Sequence, residues 1–347
     1  MEKRKIKDLC KAVSSNLQIN KLENNIGDYP LYGASGLVKG LDFYKIDKPY
    51  VSIVKDGAGV GRISFHEGKS SIVGTMQAFL NNDDVDLKFF YYALKSQHLD
   101  SSKNGSTIPH IYFKNYGENE INFYPIEIQR KISQHLGAID ASLESKKRQA
   151  ILLDELIKSR FIEQFEKYSK IELHTISKIT MGQSPDSSSY NDDGNGVPFF
   201  QGKGDYGDKY TIVKHYTTSP KKIAKKDSVL MSVRAPVGPV NIANVNCCIG
   251  RGLCSIDAVK GLTNNEFIYN ALNAMQDEIS KKGNGSTFNA INKDDVYKLR
   301  IPNAPINEQD EFSEFVKLID KSKFVVQQQI KDLQELLDKK MDEYFSE

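Results

Sequence analysis

The sequence predicts an α+β chain of two similar mixed α/β units separated by two long helices packed as an antiparallel coiled coil, an internal repeat with approximate two-fold symmetry. Three observations lead there. An apolar seam of coiled-coil spacing lies within Pro125 to Phe165 and recurs 180 residues later. Identities around the two seams match in the same register. The stretch ahead of each seam carries short β-branched runs and glycine-rich turns instead of a long helical period.

Stepping from Ile132 by alternating fours and threes reaches Leu136, Ile139, Leu143, Lys146, Ala150, Leu153, Ile157 and Arg160, the 3.5-residue spacing by which helices pair. Adding 180 to each number reaches Phe312, Val316, Ile319, Lys323, Val326, Ile330, Leu333, Leu337 and Lys340. Gly105-Ser106-Thr107 maps onto Gly285-Ser286-Thr287, Pro125-Ile126 and Gln129 onto Pro305-Ile306 and Gln309, and Ile139-Asp140 onto Ile319-Asp320. Such a period is too long for a solenoid repeat and suits a domain followed by a long helix. The expected division is 1–124, 125–167, 168–302 and 303–347, alternately globular and helical.

Composition bounds the function. The 347 residues suffice for two domains that bury their own cores. No apolar run is long enough to cross a bilayer, and MEKRKIKDLCKAV has no signal-peptide core, so a cytoplasmic location is expected. Cys10, Cys247, Cys248 and Cys254 show no zinc-finger spacing and read as reduced thiols in the core. A net charge of only +2 excludes holding nucleic acid by bulk field alone, so any contact must be local.

In the first unit, Tyr50–Val54 and Ser71–Val73 read as strands, and the glycine-rich Lys55–Arg62 between them as a turn whose backbone permits close approach and whose two cations suit a phosphate. Leu87–Leu99 reads as an amphipathic helix with Phe90, Tyr91, Leu94 and His98 on one face, followed by a polar surface loop through Lys103, Asn104 and Thr107. Pro125 suits a first helical turn. Thirty residues of helix make a rod of roughly 45 Å, and its one apolar stripe needs a partner, the second seam. Antiparallel packing follows from connectivity, because parallel rods would require a crossover as long as the rod near Lys167. Leu143 and Lys146 are expected to face Lys323 and Val326 as a register device.

The second unit repeats the pattern with different surface residues. Gly182-Gln183-Ser184-Pro185, Val197-Pro198-Phe199-Phe200-Gln201-Gly202-Lys203-Gly204-Asp205 and Val229-Leu230-Met231-Ser232-Val233-Arg234-Ala235-Pro236-Val237-Gly238 read as turn, strand, turn and strand. Pro198 matches Pro30, and Val237-Gly238 matches Val60-Gly61. A binder reading two unlike half-sites would diverge in this way.

Signals of catalysis fail on spacing. Gly68-Lys69-Ser70 lacks the first P-loop glycine, since position 63 is Ile63; His66-Glu67 lacks a second His at Ser70. Asp47-Lys48-Pro49-Tyr50 has Lys where an amino-methylating DNA methyltransferase loop has Pro, and Pro185-Asp186 has no following acid-x-Lys to complete a nuclease cluster.

Two variable units, each followed by a helical segment that opens Pro-x-x-x-Gln and carries Ile-Asp, resemble the specificity subunit of Type I restriction-modification systems across essentially the whole chain. The first unit departs in using Tyr29-Pro30-Leu31-Tyr32-Gly33-Ala34-Ser35-Gly36 where the second has a Gly-x-x-Pro opening. The resemblance implies two target recognition domains, each reading one half of a split double-stranded DNA sequence, with the helices as a ruler between them. It implies two modification subunits docked on the helices, restriction subunits beyond, and no catalysis or cofactor in this chain. S-adenosylmethionine, ATP and magnesium would belong to the partners.

A rod of roughly 45 Å spans about thirteen base pairs, a little over one helical turn of DNA. The residue types that read or position DNA from glycine-rich turns are Lys55, Arg62, Lys103 and Asn104 in the first unit and Gln201, Lys203, Arg234, Lys281, Lys282 and Asn284 in the second. Lys221, Lys222, Lys225 and Lys226 form a further cationic cluster. Two other readings stay open on the residues alone: a self-contained nuclease or methyltransferase, active without added subunits, and a protein-interaction scaffold with no preference for any duplex.

Overall fold

The chain divides into two compact units, Met1–Arg148 with Gln327–Glu347, and Gln149–Val326. The computed structural model describes residues 2–99, 110–284 and 290–346, the side chains of 282–284 excepted.

In the first unit a four-stranded antiparallel sheet runs in the order Cys10–Ser14, Met76–Asn81, Tyr50–Val54, Ile63–His66. Tyr50–Val54 is buried at every position because both of its faces are covered. Val51 and Ile53 enter a core with Phe79, Phe89, Phe90 and Leu94, while Tyr50 and Val54 join Leu31, Leu41, Ile72 and Ala78 on the opposite side, as the two-residue period of a strand requires. A second, three-stranded sheet of Gly36–Leu41, Tyr29–Gly33 and Ser71–Ile72 closes that side, the last pair parallel. Ser71–Ile72 therefore packs against Tyr50–Val54 across the core but does not pair with it. The Lys55–Arg62 turn leads instead into Ile63–His66, whose mixed composition hides a strand.

The helix predicted at 87–99 ends earlier, at Lys95, with Asp86 accepting from Phe89 N at 2.9 Å to cap its start. It buries Phe89, Phe90, Tyr92, Ala93 and Leu94, a wider arc than one stripe. His98 lies beyond it, in a left-handed conformation with φ of 45°.

The second unit repeats this plan. Ser177–Met181, Leu253–Ala258, Val229–Ser232 and Val240–Ile242 form the antiparallel sheet. Tyr190–Asn191, Tyr216–Thr217, Val197–Phe200, Cys247–Ile249 and Ile223–Ala224 form the second sheet, again with one parallel pair, Val197–Phe200 beside Cys247–Ile249. Val229 and Met231 face one core and Leu230 the other. All four cysteines are free and buried, and burial pushes the thiols of Cys10, Cys247 and Cys254 up to about 12.

Two continuous helices, Ile126–Phe165 and Ile306–Phe345, each 40 residues long, carry the seams. In the first unit Ile132, Leu136, Ile139 and Leu143 pack with Leu337, Met341 and Phe345, and with half-buried Ile330 and Leu333. In the second unit Ile157, Phe161 and Phe165 pack with Phe312, Val316 and half-buried Ile319. Within that unit Phe161 meets Phe312 at 5.4 Å, while Lys323 bonds Asp154 at 2.6 Å, so the helices run antiparallel. Leu153 is half-buried and Val326 buried.

Three seam expectations change. Arg160 is exposed and Lys340 only half-buried, because the stripe ends on four-residue steps, Ile157-Phe161-Phe165 and Leu337-Met341-Phe345, where each helix meets its globular unit. The third change concerns Lys323, whose ammonium pairs with Asp154 and Asp208 at 2.6 and 2.8 Å. Leu143 instead joins the first unit's core.

The Gln that opens each helix has a structural cause. Gln129, fully buried, donates to Tyr124 O at 2.8 Å and Asp84 O at 3.0 Å and accepts from Asp86 N at 2.8 Å. Gln309 donates to Ala304 O at 2.8 Å and Leu262 O at 3.2 Å and accepts from Thr263 Oγ1 at 2.8 Å. One turn on, Ser133 bonds Asp86 and Ser313 bonds Asn264, the residues that cap Leu87–Lys95 and Asn265–Ala274. A single amide thus satisfies backbone groups at the junction of the short helix, the last strand and the long helix.

Candidate nucleic-acid interface

In the second unit four chain segments, 184–190, 201–203, 232–235 and 251–252, converge on a cleft of about 600 Å³. Glycine permits the convergence. A Cβ on Gly252 would lie 2.3 Å from Gln201 O, and one on Gly182 would lie 2.1 Å from Gly250 O, so neither position takes a side chain without moving backbone. The Gln201–Asp205 turn is held from inside by Asp205, buried, whose Oδ2 accepts from Gln201 N at 2.6 Å and Gly202 N at 3.3 Å. Ser184 Oγ accepts from Arg251 N at 3.2 Å, which joins the first and last segments.

What the cleft presents follows from that scaffold. Gln201, Lys203, Arg234 and Arg251 line it and are exposed. Among the described residues none of their side chains has a hydrogen-bond or ion-pair partner. Three cations and one amide therefore stand unengaged around one concavity, on turns whose backbones are fixed. The one carboxylate on its lining, Asp186, is held below the usual range by bonds from the Ser188 hydroxyl and N–H, with the charge of Lys221 helping. Guanidinium and amide groups of this kind pair bidentately with guanine and adenine edges, and ammonium groups hold phosphates.

The structure brings Gln201, Lys203 and Arg234 together and leaves Lys281 off the cleft, exposed on Gln276–Asn284. The side chains of Lys282 and Asn284 lie outside the described residues, as do Lys103 and Asn104. Arg251 was not singled out from the sequence, although a cation between Gly250 and Gly252 has the same signature as Lys203 between Gly202 and Gly204. Asp205 was missed because an inward carboxylate bonding a turn leaves no periodic trace.

In the first unit Lys55 and Arg62 flank a turn in which Gly57, Gly59 and Gly61 have φ of 86°, 86° and 88°. Arg62 Nη1 donates to Ala34 O at 2.6 Å, tying this turn to the one between Tyr29–Gly33 and Gly36–Leu41, and among the described residues its other donors have no partner. Lys55 is half-buried, its carbonyl accepting from Ile111 N at 3.0 Å. Beside it His110 Nδ1 lies 2.6 Å from Asp56 Oδ1, a pair absent from the sequence reading. His66, by contrast, is structural: it bonds Ser52 Oγ at 2.8 Å and lies between Tyr32 and Tyr50, and burial holds its imidazole down, to about 4.

Among the described residues no group of three or more His, Cys, Asp or Glu side chains is placed to hold a metal ion, and no helix is long and apolar enough to cross a membrane.

Comparison with known proteins agrees across the whole chain. The family model for the Type I restriction modification DNA specificity domain matches residues 1–153 and again 166–335, once per repeat. A Methanocaldococcus jannaschii protein named as the specificity subunit of the type I restriction enzyme MjaX is 28% identical over 371 residues, covering 92% of this chain and 86% of its own. A Mycoplasma pneumoniae type I specificity subunit is 25% identical over 326 residues, covering 86% and 84%. The crystal structure of a Type I restriction-modification S subunit from M. genitalium shares the fold with a TM-score of 0.62 at 18% identity, over 100% of this chain and 96% of that one. A chain solved in work on complex assembly and conformational transition of the type I system has a TM-score of 0.59 at 23% identity, over 99% and 97%.

Proposed function

This chain belongs to the Type I restriction-modification DNA specificity family, and from that premise we propose that each of its two units reads one half of a bipartite duplex target while its long helices dock the modification subunits. It is the specificity component and not a catalytic one. It assembles with other subunits of the system. The finer assignments are two methyltransferase subunits on the helices, restriction subunits added to them, and a cytoplasmic location alongside the DNA.

The observation that carries the reading is the cleft lined by Gln201, Lys203, Arg234 and Arg251. The same fold in the first unit supports a second reader, with Lys55 and Arg62 on its glycine-rich turn. Docking on the helices is supported by apolar side chains that no seam covers: in the second unit Ile151, Leu318 and Phe324 are 59%, 62% and 69% exposed, with Leu152, Leu156 and Val325 also exposed. Soluble chains seldom leave such a concentration bare unless it is an interaction surface.

The test is competitive duplex selection by the complex reconstituted with its modification subunits, across a salt series. Specific binding is expected to need both half-sites, and log affinity to fall linearly with log salt as phosphate contacts release counterions. Equal affinity for all duplexes at every salt concentration would reject the reading.

A further inference from the structure

The two units place opposite chemistry at one equivalent position. Each has a turn after its central buried strand, and although the first turn is one residue longer, the backbone hydrogen bonds align the leading sides of the two turns. Gly61 N bonds Val54 O at 2.9 Å, and Gly238 N bonds Ser232 O at 3.0 Å. Ile111 N bonds Lys55 O at 3.0 Å, and Ile291 N bonds Val233 O at 3.0 Å. The next residue of each turn forms an isolated antiparallel bridge, Asp56 with His110 and Arg234 with Ala290. Asp56 therefore occupies in the first unit the place that Arg234 occupies in the second.

Arg234 offers only donors, and its site matches an edge rich in acceptors, which in the major groove is guanine with O6 and N7. Asp56 offers only acceptors when ionised. His110 holds one of its oxygens at 2.6 Å, with the carboxylate one third exposed, and among the described residues Oδ2 has no partner. His110 in turn stacks on Tyr112, with ring centroids 6.4 Å apart and planes 21° apart, which limits the imidazole's freedom. A carboxylate held this way beside Lys55 and Arg62 is poorly suited to a phosphate. It is well suited to an exocyclic amino group.

We infer that Asp56, positioned by His110, reads a cytosine through its N4 amino group in the first half-site, and that Arg234 reads a guanine at the equivalent place in the second. One fold thus reads two unlike half-sites by exchanging an acceptor for a donor at a single turn position. The inference rests on the proposed one-unit, one-half-site reading.

The experiment is methylome mapping in cells carrying the complete complex with the natural chain, Asp56→Asn, or His110→Gln. With the natural chain one half-site is expected to hold a required cytosine. Asp56→Asn relaxes that base pair by on the order of tenfold or more, and His110→Gln weakens the same base pair to a smaller extent. The motif of the other half-site and the spacer stay in place. Relaxation at a position other than cytosine, no change in the motif, or uniform loss over both half-sites overturns the assignment of Asp56 while leaving the bipartite reading standing. A natural chain that yields no bipartite motif overturns both.

Discussion

At the scale of single residues, buried polar groups separate structure from reading. His66 is enclosed by Tyr32, Tyr50 and Ser52, and its imidazole is held down to about 4 from an ordinary value near 6.5. The folded state therefore prefers the neutral ring. Stability is fully present above the unfolded value and is lost as pH falls from about 6.5 toward 4. Urea denaturation at pH 7 and pH 4.5 should show the natural chain losing about 2 kcal/mol more than His66→Gln across that interval. An equal loss in both would remove His66 as the cause. The residues proposed to read DNA are the reverse case: among the described residues, the side chains of Gln201, Lys203, Arg234 and Arg251 have no partner inside the fold. Glycine spacing revealed the first three, but Asp56 and His110 are 54 residues apart, and only the fold brings them together.

At the scale of elements, the long helices were the most legible part of the chain, since a seam of coiled-coil spacing imposes its period on the residues themselves. Their ends were less legible. Beyond Ile157 and Leu337 the apolar residues step by four, because each helix there packs on a globular unit as well as on its partner. The short strands were hardest. Ile63–His66 was missed, so the Lys55–Arg62 turn was taken to lead to Ser71–Ile72, because sheet membership is decided by contacts remote in sequence. The repeated Gln gives this scale its prediction. Gln309→Ala leaves Leu262 O, Ala304 O and Thr263 without their partner and is expected to cost its unit about 2–3 kcal/mol. Amide exchange should quicken in Asn265–Ala274 and the first turn of Ile306–Phe345, while Leu87–Lys95 keeps its rate. Faster exchange in both short helices, or in neither, would show that Gln309 does not anchor its own unit.

At the scale of the whole molecule, duplication reconciles a constant architecture with a variable message. Both units keep the four-stranded sheet, the parallel pair in the second sheet, the capped short helix and the Gln-anchored long helix. They differ where turns meet solvent: Arg234 stands against Asp56, and Gly202-Lys203-Gly204 has no cationic counterpart in Gly33-Ala34-Ser35-Gly36. A net charge of +2, from 47 Lys and Arg against 45 Asp and Glu, leaves any contact with DNA to local groups and not to a bulk field. The measurement that bears most directly on a separate reader in each unit is the methylome of cells carrying the natural chain beside that of cells carrying Arg234→Ala in the same complex. With Arg234→Ala, one base pair of one half-site is expected to become degenerate while the other half-site and the spacer are retained. Loss of discrimination in both half-sites, or an unchanged motif, would contradict that.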